Sequence, residues 1–147
     1  MISTDGLKVV TAEEMVRLEE LAIEQGCSAE KFMEEAGKKV ALAALRFMQQ
    51  RHLPKRVVLL IGKGNKGGDA YMAGRILLEK EVQVRAIVLY RPQECSSLNQ
   101  KMGEGFKAQG GRIEQARGSI DFSEDALIVD GLLGTGFKGK VESPIAE

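Results

Sequence analysis

The chain has 147 residues, which is enough for one domain with a single hydrophobic core. Its 21 Lys and Arg residues balance its 21 Asp and Glu residues, so the formal net charge is zero. This balance argues against a nucleic-acid-binding protein and against a polybasic membrane-surface protein, because both carry an excess of basic residues. With 44% hydrophobic and 29% charged residues, the composition is that of a globular protein rather than a disordered one.

The cysteines and the chain start indicate the compartment. Cys27 and Cys95 lie far apart, and with the single histidine, His52, they do not form a recognisable zinc-binding pattern. The first residues lack the basic and apolar regions of a signal peptide, and there is no run of about 18 apolar residues. We therefore expect reduced thiols in a cytoplasmic protein that does not cross a membrane.

The N-terminal third predicts two helices. Residues 11–14, Thr-Ala-Glu-Glu, form a capping box at the start of the first helix, which Gly26 ends. Ser28 is expected to cap the second helix. Gly37 lies inside the second helix and indicates a close contact with another element. The buried face of the second helix is predicted from its helical spacing to comprise Phe32, Ala36, Val40, Ala43 and Phe47.

The rest of the chain alternates strands and helices. Residues 57–61, Val-Val-Leu-Leu-Ile, are a continuous apolar run, which is typical of a strand buried on both faces of a parallel sheet. Further strands are predicted at 84–90, 112–116 and 126–129, and further helices at 69–80 and 98–109. This alternation predicts an α/β, Rossmann-like, three-layer αβα sandwich with a mostly parallel sheet, preceded by two N-terminal helices. We treat residues 1–147 as one domain.

Two glycine-rich loops follow the first and fourth predicted strands. In open α/β sheets ligands bind beyond the carboxyl ends of the strands, and the common order 3-2-1-4 makes these two strands neighbours. In the first loop, residues 62–69, glycines allow close approach of the backbone, and amides at a helix start favour an anion. The second loop begins with Asp130, a carboxylate at the end of an apolar strand, and continues through the glycine-rich residues 134–140. Together the loops predict a site for a ligand that carries phosphates.

Other interpretations of these loops stay open at this point. The first loop matches GxGxxG, but the second strand ends without the acidic residue of a dehydrogenase, although Arg91 could receive a 2′-phosphate. The ATP-binding pattern GxxxxGK[ST] fails, because Gly68 and Asp69 follow Gly67. The glycines could also serve only turns and packing, with Asp130 capping the backbone that follows it.

Four stretches of the sequence are similar to segments that occur together in one family of proteins. Residues 11–26 are similar to the opening helix of that family, and residues 32–37, Phe-Met-Glu-Glu-Ala-Gly, are similar to its Leu-Met-Glu-Asn-Ala-Gly segment. Residues 62–69 are similar to Gly-x-Gly-Asn-Asn-Gly-Gly-Asp, and residues 129–136 to Val-Asp-Ala-Leu-Phe-Gly-Thr-Gly. In this combination and order the chain resembles the YjeF N-terminal domain family, the NAD(P)H-hydrate epimerases.

The resemblance implies an isomerase of nicotinamide cofactor repair. Such an enzyme interconverts the R and S epimers of hydrated NADH and NADPH, and an NAD(P)H-hydrate dehydratase, the expected functional partner, then removes water from the S epimer. Asp130 matches a family carboxylate that binds a monovalent cation, usually potassium. The residues implied to bind the cofactor-like substrate are Asn65, Lys66, Gly67, Gly68, Asp69, Gly134, Thr135, Gly136, Phe137, Lys138, Gly139 and Lys140.

Two departures from the family pattern shape the expectations. Lys66 stands where the family has an asparagine that ligates the cation, and we hypothesise that its ammonium group replaces potassium and pairs with Asp130. The alternative is a Lys66 side chain that points to solvent. The family continues beyond residue 147 with an Asp-x-Pro-Ser-Gly segment that supplies a catalytic aspartate, so we expect a domain that is incomplete at its C-terminal end. Asp69 and Asp130 are the remaining catalytic candidates.

Two functions from different classes therefore remain: an epimerase, and a non-catalytic nucleotide-binding or scaffolding module of the same fold. A sheet that stops at its fourth strand exposes an edge, and we expect self-association through that edge, with a homodimer as the oligomeric state.

Overall fold

The computed structural model describes residue 6 and residues 8–146 of the chain. The start of the chain, where the sequence predicts no signal peptide, lies largely outside these residues. In chain order the elements are α1 (Ala12–Glu24), α2 (Ala29–Gln50), β1 (Arg56–Ile61), α3 (Asn65–Glu79), β2 (Gln83–Val88), α4 (Ser97–Ala108), β3 (Arg112–Gln115) and β4 (Leu127–Gly131). A 3₁₀ turn, Pro92–Glu94, lies between β2 and α4.

The predicted start of α1 is confirmed. The Thr11 hydroxyl accepts a hydrogen bond from the Glu14 backbone N–H at 3.2 Å, and the Glu14 carboxylate accepts one from the Thr11 N–H at 2.7 Å. Ser28 caps α2 in the same manner by accepting from the Lys31 N–H at 3.1 Å. No residue of α1 is buried, so this helix lies at the surface.

The buried face of α2 lies one residue further along than the sequence predicted. Val40 and Phe47 are exposed instead of buried. The close contact expected at Gly37 explains the difference, since a Cβ there would lie 2.6 Å from the Met72 Cβ of α3. Small residues bring the two helix backbones together, and this proximity outweighs burial of the larger side chains. The residues that α2 buries are Met33, Gly37, Ala41, Ala44 and Met48.

The four strands form one parallel sheet in the order β3-β2-β1-β4. This confirms the α/β, Rossmann-like class and the neighbouring positions of β1 and β4. In the register Val57 lies opposite both Val84 of β2 and Leu127 of β4. Strand β1 is the centre of the sheet, and its Val58 and Leu59 have no exposed surface. The long apolar run of the sequence is therefore the inner strand, as its pattern indicated.

Helix α3 covers one face of this sheet, with α2 and α4 on its two sides. Gly74 allows α3 to approach closely, because a Cβ at that position would lie 2.6 Å from a methyl group of Leu59 and 2.9 Å from the Phe106 ring of α4. Phe106 and Leu77 are fully buried in the shared core. This packing fixes the start of α3 at the carboxyl edge of β1. Within the described ranges, no helix is long and apolar enough to cross a membrane.

Candidate functional site

The two glycine-rich loops meet at the carboxyl edge of the sheet. The Gly62 N–H, directly after β1, donates a hydrogen bond to the Gly131 carbonyl at the end of β4, at 3.0 Å. A Cβ at Gly62 would overlap the Leu132 backbone, so only glycine permits this approach. The adjacency that the strand order predicted is therefore built from direct backbone contact.

Helix α3 begins at Asn65, four residues earlier than predicted. Half of the first loop is thus the first turn of a helix. Gly64 occupies the N-cap position in an extended conformation, and no side chain caps this terminus. The leading amides of α3 are consequently not satisfied by a cap, which is the arrangement that favours a bound anion such as a pyrophosphate.

Two glycines of this turn have a packing role. Gly67 and Gly68 are both buried. A Cβ at Gly68 would lie 2.5 Å from the Met33 sulfur of α2, and one at Gly67 would collide with the Asn99 side chain. The packing interpretation of the sequence therefore explains these two positions, whereas Asn65 and Lys66 are exposed at the edge.

Lys66 joins the two loops, but not through the carboxylate that we hypothesised. Its Nζ donates to Asp69 Oδ2 at 2.8 Å, and its side-chain stem lies against Gly134, where a Cβ would be 2.9 Å from Lys66 Cγ. The predicted pairing with Asp130 is wrong. Because α3 begins at Asn65, Lys66 and Asp69 are three residues apart on one helix face and become natural partners. The Lys66 side chain is half exposed, and that of Asp69 is mostly covered.

Asp130 is exposed and caps the turn after β4. Its Oδ1 accepts a hydrogen bond from the Leu132 N–H at 2.9 Å, as the structural interpretation of the sequence proposed. The loop then turns at Gly134, whose carbonyl accepts from the Phe137 N–H at 3.0 Å. The remaining predicted residues of the second loop are exposed, namely Thr135, Gly136, Phe137, Lys138, Gly139 and Lys140. No group of three or more His, Cys, Asp or Glu side chains within residues 8–146 could hold a metal ion.

Two residues that hold the first loop by hydrogen bonds were not predicted from the sequence. Asn99 of α4 is 2% exposed, and its Nδ2 donates to the carbonyls of Gly62 and Gly64, at 2.8 Å each. The hydroxyl of Ser96 donates to Asn65 Oδ1 at 2.9 Å. A polar residue on the apolar side of a predicted helix was the available signal, because a buried amide needs hydrogen-bond partners.

A cavity of about 590 Å³ lies next to this supported loop, between α4 and strands β1 to β3. Burial raises the pKa of the Tyr71 phenol well above its usual range, with a further contribution from Cys95. Burial also raises the pKa of the Cys95 thiol, and the neighbouring Glu94 carboxylate adds to the effect. Both groups are therefore protonated near neutral pH. The side chains of Ile61, Tyr71, Val88, Tyr90, Cys95 and Ile113 contribute to the lining.

Sheet order and loop geometry together define a class of protein. A parallel sheet with two glycine-rich loops in contact at its carboxyl edge, one of them opening a helix, is a Rossmann-like α/β protein with a candidate nucleotide site. The family model described as "YjeF-related protein N-terminus" matches residues 29–147. The chain belongs to this family.

Comparisons with individual proteins agree with the family. The chain is 34% identical to the bifunctional NAD(P)H-hydrate repair enzyme Nnr of Moorella thermoacetica, over 89% of this chain and 26% of that protein. It is 27% identical to the NAD(P)H-hydrate epimerase of Elusimicrobium minutum, over 96% of this chain and 67% of that protein. The crystal structure of yeast ynu0, YNL200c, superposes with a TM-score of 0.82 at 22% identity, covering 95% of this chain and 62% of that one, and shows the shared fold.

The matched length differs between these relatives. The chain spans about two thirds of the epimerase of E. minutum and about a quarter of the bifunctional enzyme of M. thermoacetica.

Proposed function

We propose that the protein is an NAD(P)H-hydrate epimerase, an isomerase that interconverts the R and S epimers of hydrated NADH and NADPH. The observation that carries the proposal is the family membership, because three relatives named NAD(P)H-hydrate epimerase are 27%, 29% and 31% identical over at least 92% of the chain. The loops that resemble the family patterns are also the two that meet at the carboxyl edge of the sheet.

In this proposal the two loops bind the phosphates and supply the groups that move a proton. The uncapped start of α3, at Asn65 and Lys66, interacts with the pyrophosphate through backbone amides. Asp69 and Asp130 are the carboxylates of the two loops, and they are the candidates to accept or return a proton at the hydrated ring. The exposed residues 135–140 contribute two further cations, Lys138 and Lys140, on the β4 side of the ligand.

The monovalent cation of the family is part of the proposal. The carboxylate of Asp130 is exposed, and among the described residues no group of three or more Asp, Glu, His or Cys side chains could hold a metal ion. We propose that the Lys66 ammonium supplies the positive charge between the loops in place of a potassium ion. The ion pair with Asp69 and the contact with Gly134 support this role, because they hold the Lys66 stem between the two loops.

The family membership also supports proposals for the location and partners of the protein. We propose a cytoplasmic protein whose functional partner is an NAD(P)H-hydrate dehydratase, since relatives named bifunctional NAD(P)H-hydrate repair enzymes contain a region that resembles this chain. We propose that the protein is a homodimer, and that its substrate is a dinucleotide rather than a nucleic acid.

The test follows conversion of the R epimer of hydrated NADPH by chromatography, with and without added protein and with and without potassium. We expect acceleration above the spontaneous rate. A rate equal to the spontaneous one would contradict the epimerase.

The second candidate is a non-catalytic nucleotide-binding module. It is favoured by Asp130, which is engaged in capping the turn after β4, and by Gly67 and Gly68, which serve packing. Binding of the dinucleotide without acceleration would support this alternative.

A further inference from the structure

The cavity beside the first loop has the size and lining of a ligand site. Its volume of about 590 Å³ lies within the range of roughly 300–1,000 Å³ that is usual for small-molecule pockets. Two aromatic rings, Tyr71 and Tyr90, line it together with aliphatic side chains from β1, β2 and β3. Aromatic and aliphatic walls favour a flat ring system, which stacks on the ring faces and is removed from water.

The hydroxyl of Tyr71 is a polar group in this mainly apolar cavity. Tyr71 is 4% exposed, and it lines the cavity. The ring end lies beside Gly103 of α4, where a Cβ would be 3.1 Å from the ring and 3.5 Å from the hydroxyl oxygen. A ligand acceptor or donor in the cavity would give the Tyr71 hydroxyl a hydrogen-bond partner in a site that is largely removed from water.

The cavity adjoins the first loop through contacts of two of its lining residues. Lys63 belongs to the first loop, and its Nζ lies 5.5 Å from the centre of the Tyr90 ring that lines the cavity. Asn99 also lines the cavity and donates to the carbonyls of Gly62 and Gly64. A ligand that has its phosphates at the start of α3 can therefore extend past Lys63 into the cavity.

We infer that this cavity binds the adenosine half of the dinucleotide, an assignment that rests on the proposed function. The adenine ring stacks between the walls that contain Tyr71 and Tyr90, and the Tyr71 hydroxyl hydrogen-bonds to the adenosine. The pyrophosphate lies between Lys63 and the start of α3, and the hydrated nicotinamide lies at the loop after β4.

Acid–base chemistry decides which half enters the cavity. Epimerisation needs a group that moves a proton, and the carboxylates Asp69 and Asp130 belong to the two loops rather than to the cavity lining. The one carboxylate in the lining, Glu104, is exposed on α4. From the middle of β2 and β3 to β4 there are between two and three strand spacings, about 10–14 Å, a separation suited to the two rings of an extended dinucleotide.

The sequence supplies a reporter for the test. Tyr71 and Tyr90 are the two tyrosines of the chain, which has no tryptophan, so every tyrosine ring signal reports on this cavity. With the chain labelled at tyrosine, AMP and nicotinamide mononucleotide are titrated separately while the ring resonances are followed by NMR. We expect AMP to shift both rings at concentrations at which nicotinamide mononucleotide leaves them unchanged.

Three variants complete the experiment. Tyr71→Phe removes the hydroxyl alone and is expected to weaken AMP binding about three- to tenfold, while its thermal unfolding temperature stays equal or rises. Ile113→Trp on β3 fills the cavity and is expected to abolish the AMP response. Ile23→Trp is the matched control, because Ile23 is an exposed isoleucine of α1 that does not line the cavity, and it should bind AMP normally.

The outcomes separate the cavity from the reaction. A response to nicotinamide mononucleotide instead of AMP, no response to either, or equal effects of Ile113→Trp and Ile23→Trp would overturn the assignment. If AMP fails to bind but epimerisation is accelerated, the assignment is wrong and the proposed function stands. If AMP binds as expected while epimerisation stays at the spontaneous rate, the cavity is supported as a nucleoside site and the proposed function is wrong.

Discussion

At the scale of single residues, the position at which α3 begins determines which carboxylate pairs with Lys66. The sequence offered Asp130 as its partner because both residues belong to loops at the same sheet edge. Helix α3 starts at Asn65, and this places Asp69 on the same face as Lys66, one turn away. The resulting ion pair is partly exposed and contributes about 1 kcal/mol or less to stability. Its main effect is to position the ammonium group of Lys66 between the two loops.

This position leads to a prediction for Lys66→Asn. Removing the ammonium group leaves Asp69 without its partner and opens a space beside Gly134. We expect the variant to fold normally and to lose most epimerase activity without potassium, and to recover it as potassium is added. The wild-type rate should not change with potassium. The measurement is the rate of R-epimer conversion at several potassium concentrations, with sodium keeping the ionic strength constant.

Lys80→Asn is the control for this experiment, because Lys80 is an exposed lysine at the opposite end of α3. It should be as independent of potassium as the wild type. A Lys66→Asn variant that is fully active without potassium would refute the substitution of the ion by Lys66.

At the scale of elements, the sequence predicts what depends on local patterns. The capping box at Thr11 and the apolar inner strand β1 follow from short-range rules, and the structure confirms both. The strand order, taken from the common order of such sheets, is confirmed as well. The buried face of α2 and the start of α3 depend on tertiary packing instead. At Gly37 and Gly68 a missing side chain lets helices touch, which a count of hydrophobic positions does not register.

In the candidate site, too, the features set by local sequence were predicted and those set by tertiary packing were not. The two loops were identified from their glycines and their places after β1 and β4, and the structure brings their ends into contact. The cavity was missed because its lining combines residues from five helices and strands, and the support of the first loop by α4 was missed because it joins residues far apart in sequence. The polar Asn99 on the apolar side of α4 indicates a need for hydrogen-bond partners, but it does not indicate that these partners belong to the first loop.

Helix α4 supports the first loop, and Asn99→Ala tests this role. The substitution removes the side-chain donor from the buried carbonyl of Gly62 and from the partly buried carbonyl of Gly64. We expect a loss of about 2–4 kcal/mol in the free energy of unfolding, measured by urea denaturation, together with weaker AMP binding. An unchanged stability would show that the loop holds its shape without α4.

Lys101→Ala on the same helix is the matched control. Lys101 forms an ion pair with Glu30 of α2 at 2.8 Å, but both side chains are substantially exposed. Exposed pairs contribute about 1 kcal/mol or less, so this variant should stay close to the wild type in unfolding and in AMP binding.

At the scale of the whole molecule, the two edges of the sheet differ in their protection. Strand β3, Arg-Ile-Glu-Gln, presents charged and polar residues at one edge, and its Arg112 and Glu114 form an ion pair. Strand β4, Leu-Ile-Val-Asp-Gly, is the other edge and carries Ile128 at 48% exposure. Charged side chains on an edge strand discourage pairing with another chain, whereas an apolar edge invites it. The β4 edge is therefore where a second copy would pair.

This asymmetry leads to the last prediction, on the oligomeric state. We expect sedimentation velocity to show a dimer at micromolar concentrations, and Ile128→Glu to shift the protein toward a monomer because each copy would bring a charge to the paired edge. Leu42→Glu is the control, since Leu42 on α2 is exposed to a similar extent, and that variant should remain dimeric. A wild-type protein that sediments as a monomer would contradict the dimer. A dimer that Leu42→Glu disrupts and Ile128→Glu does not would move the interface from β4 to the outer face of α2.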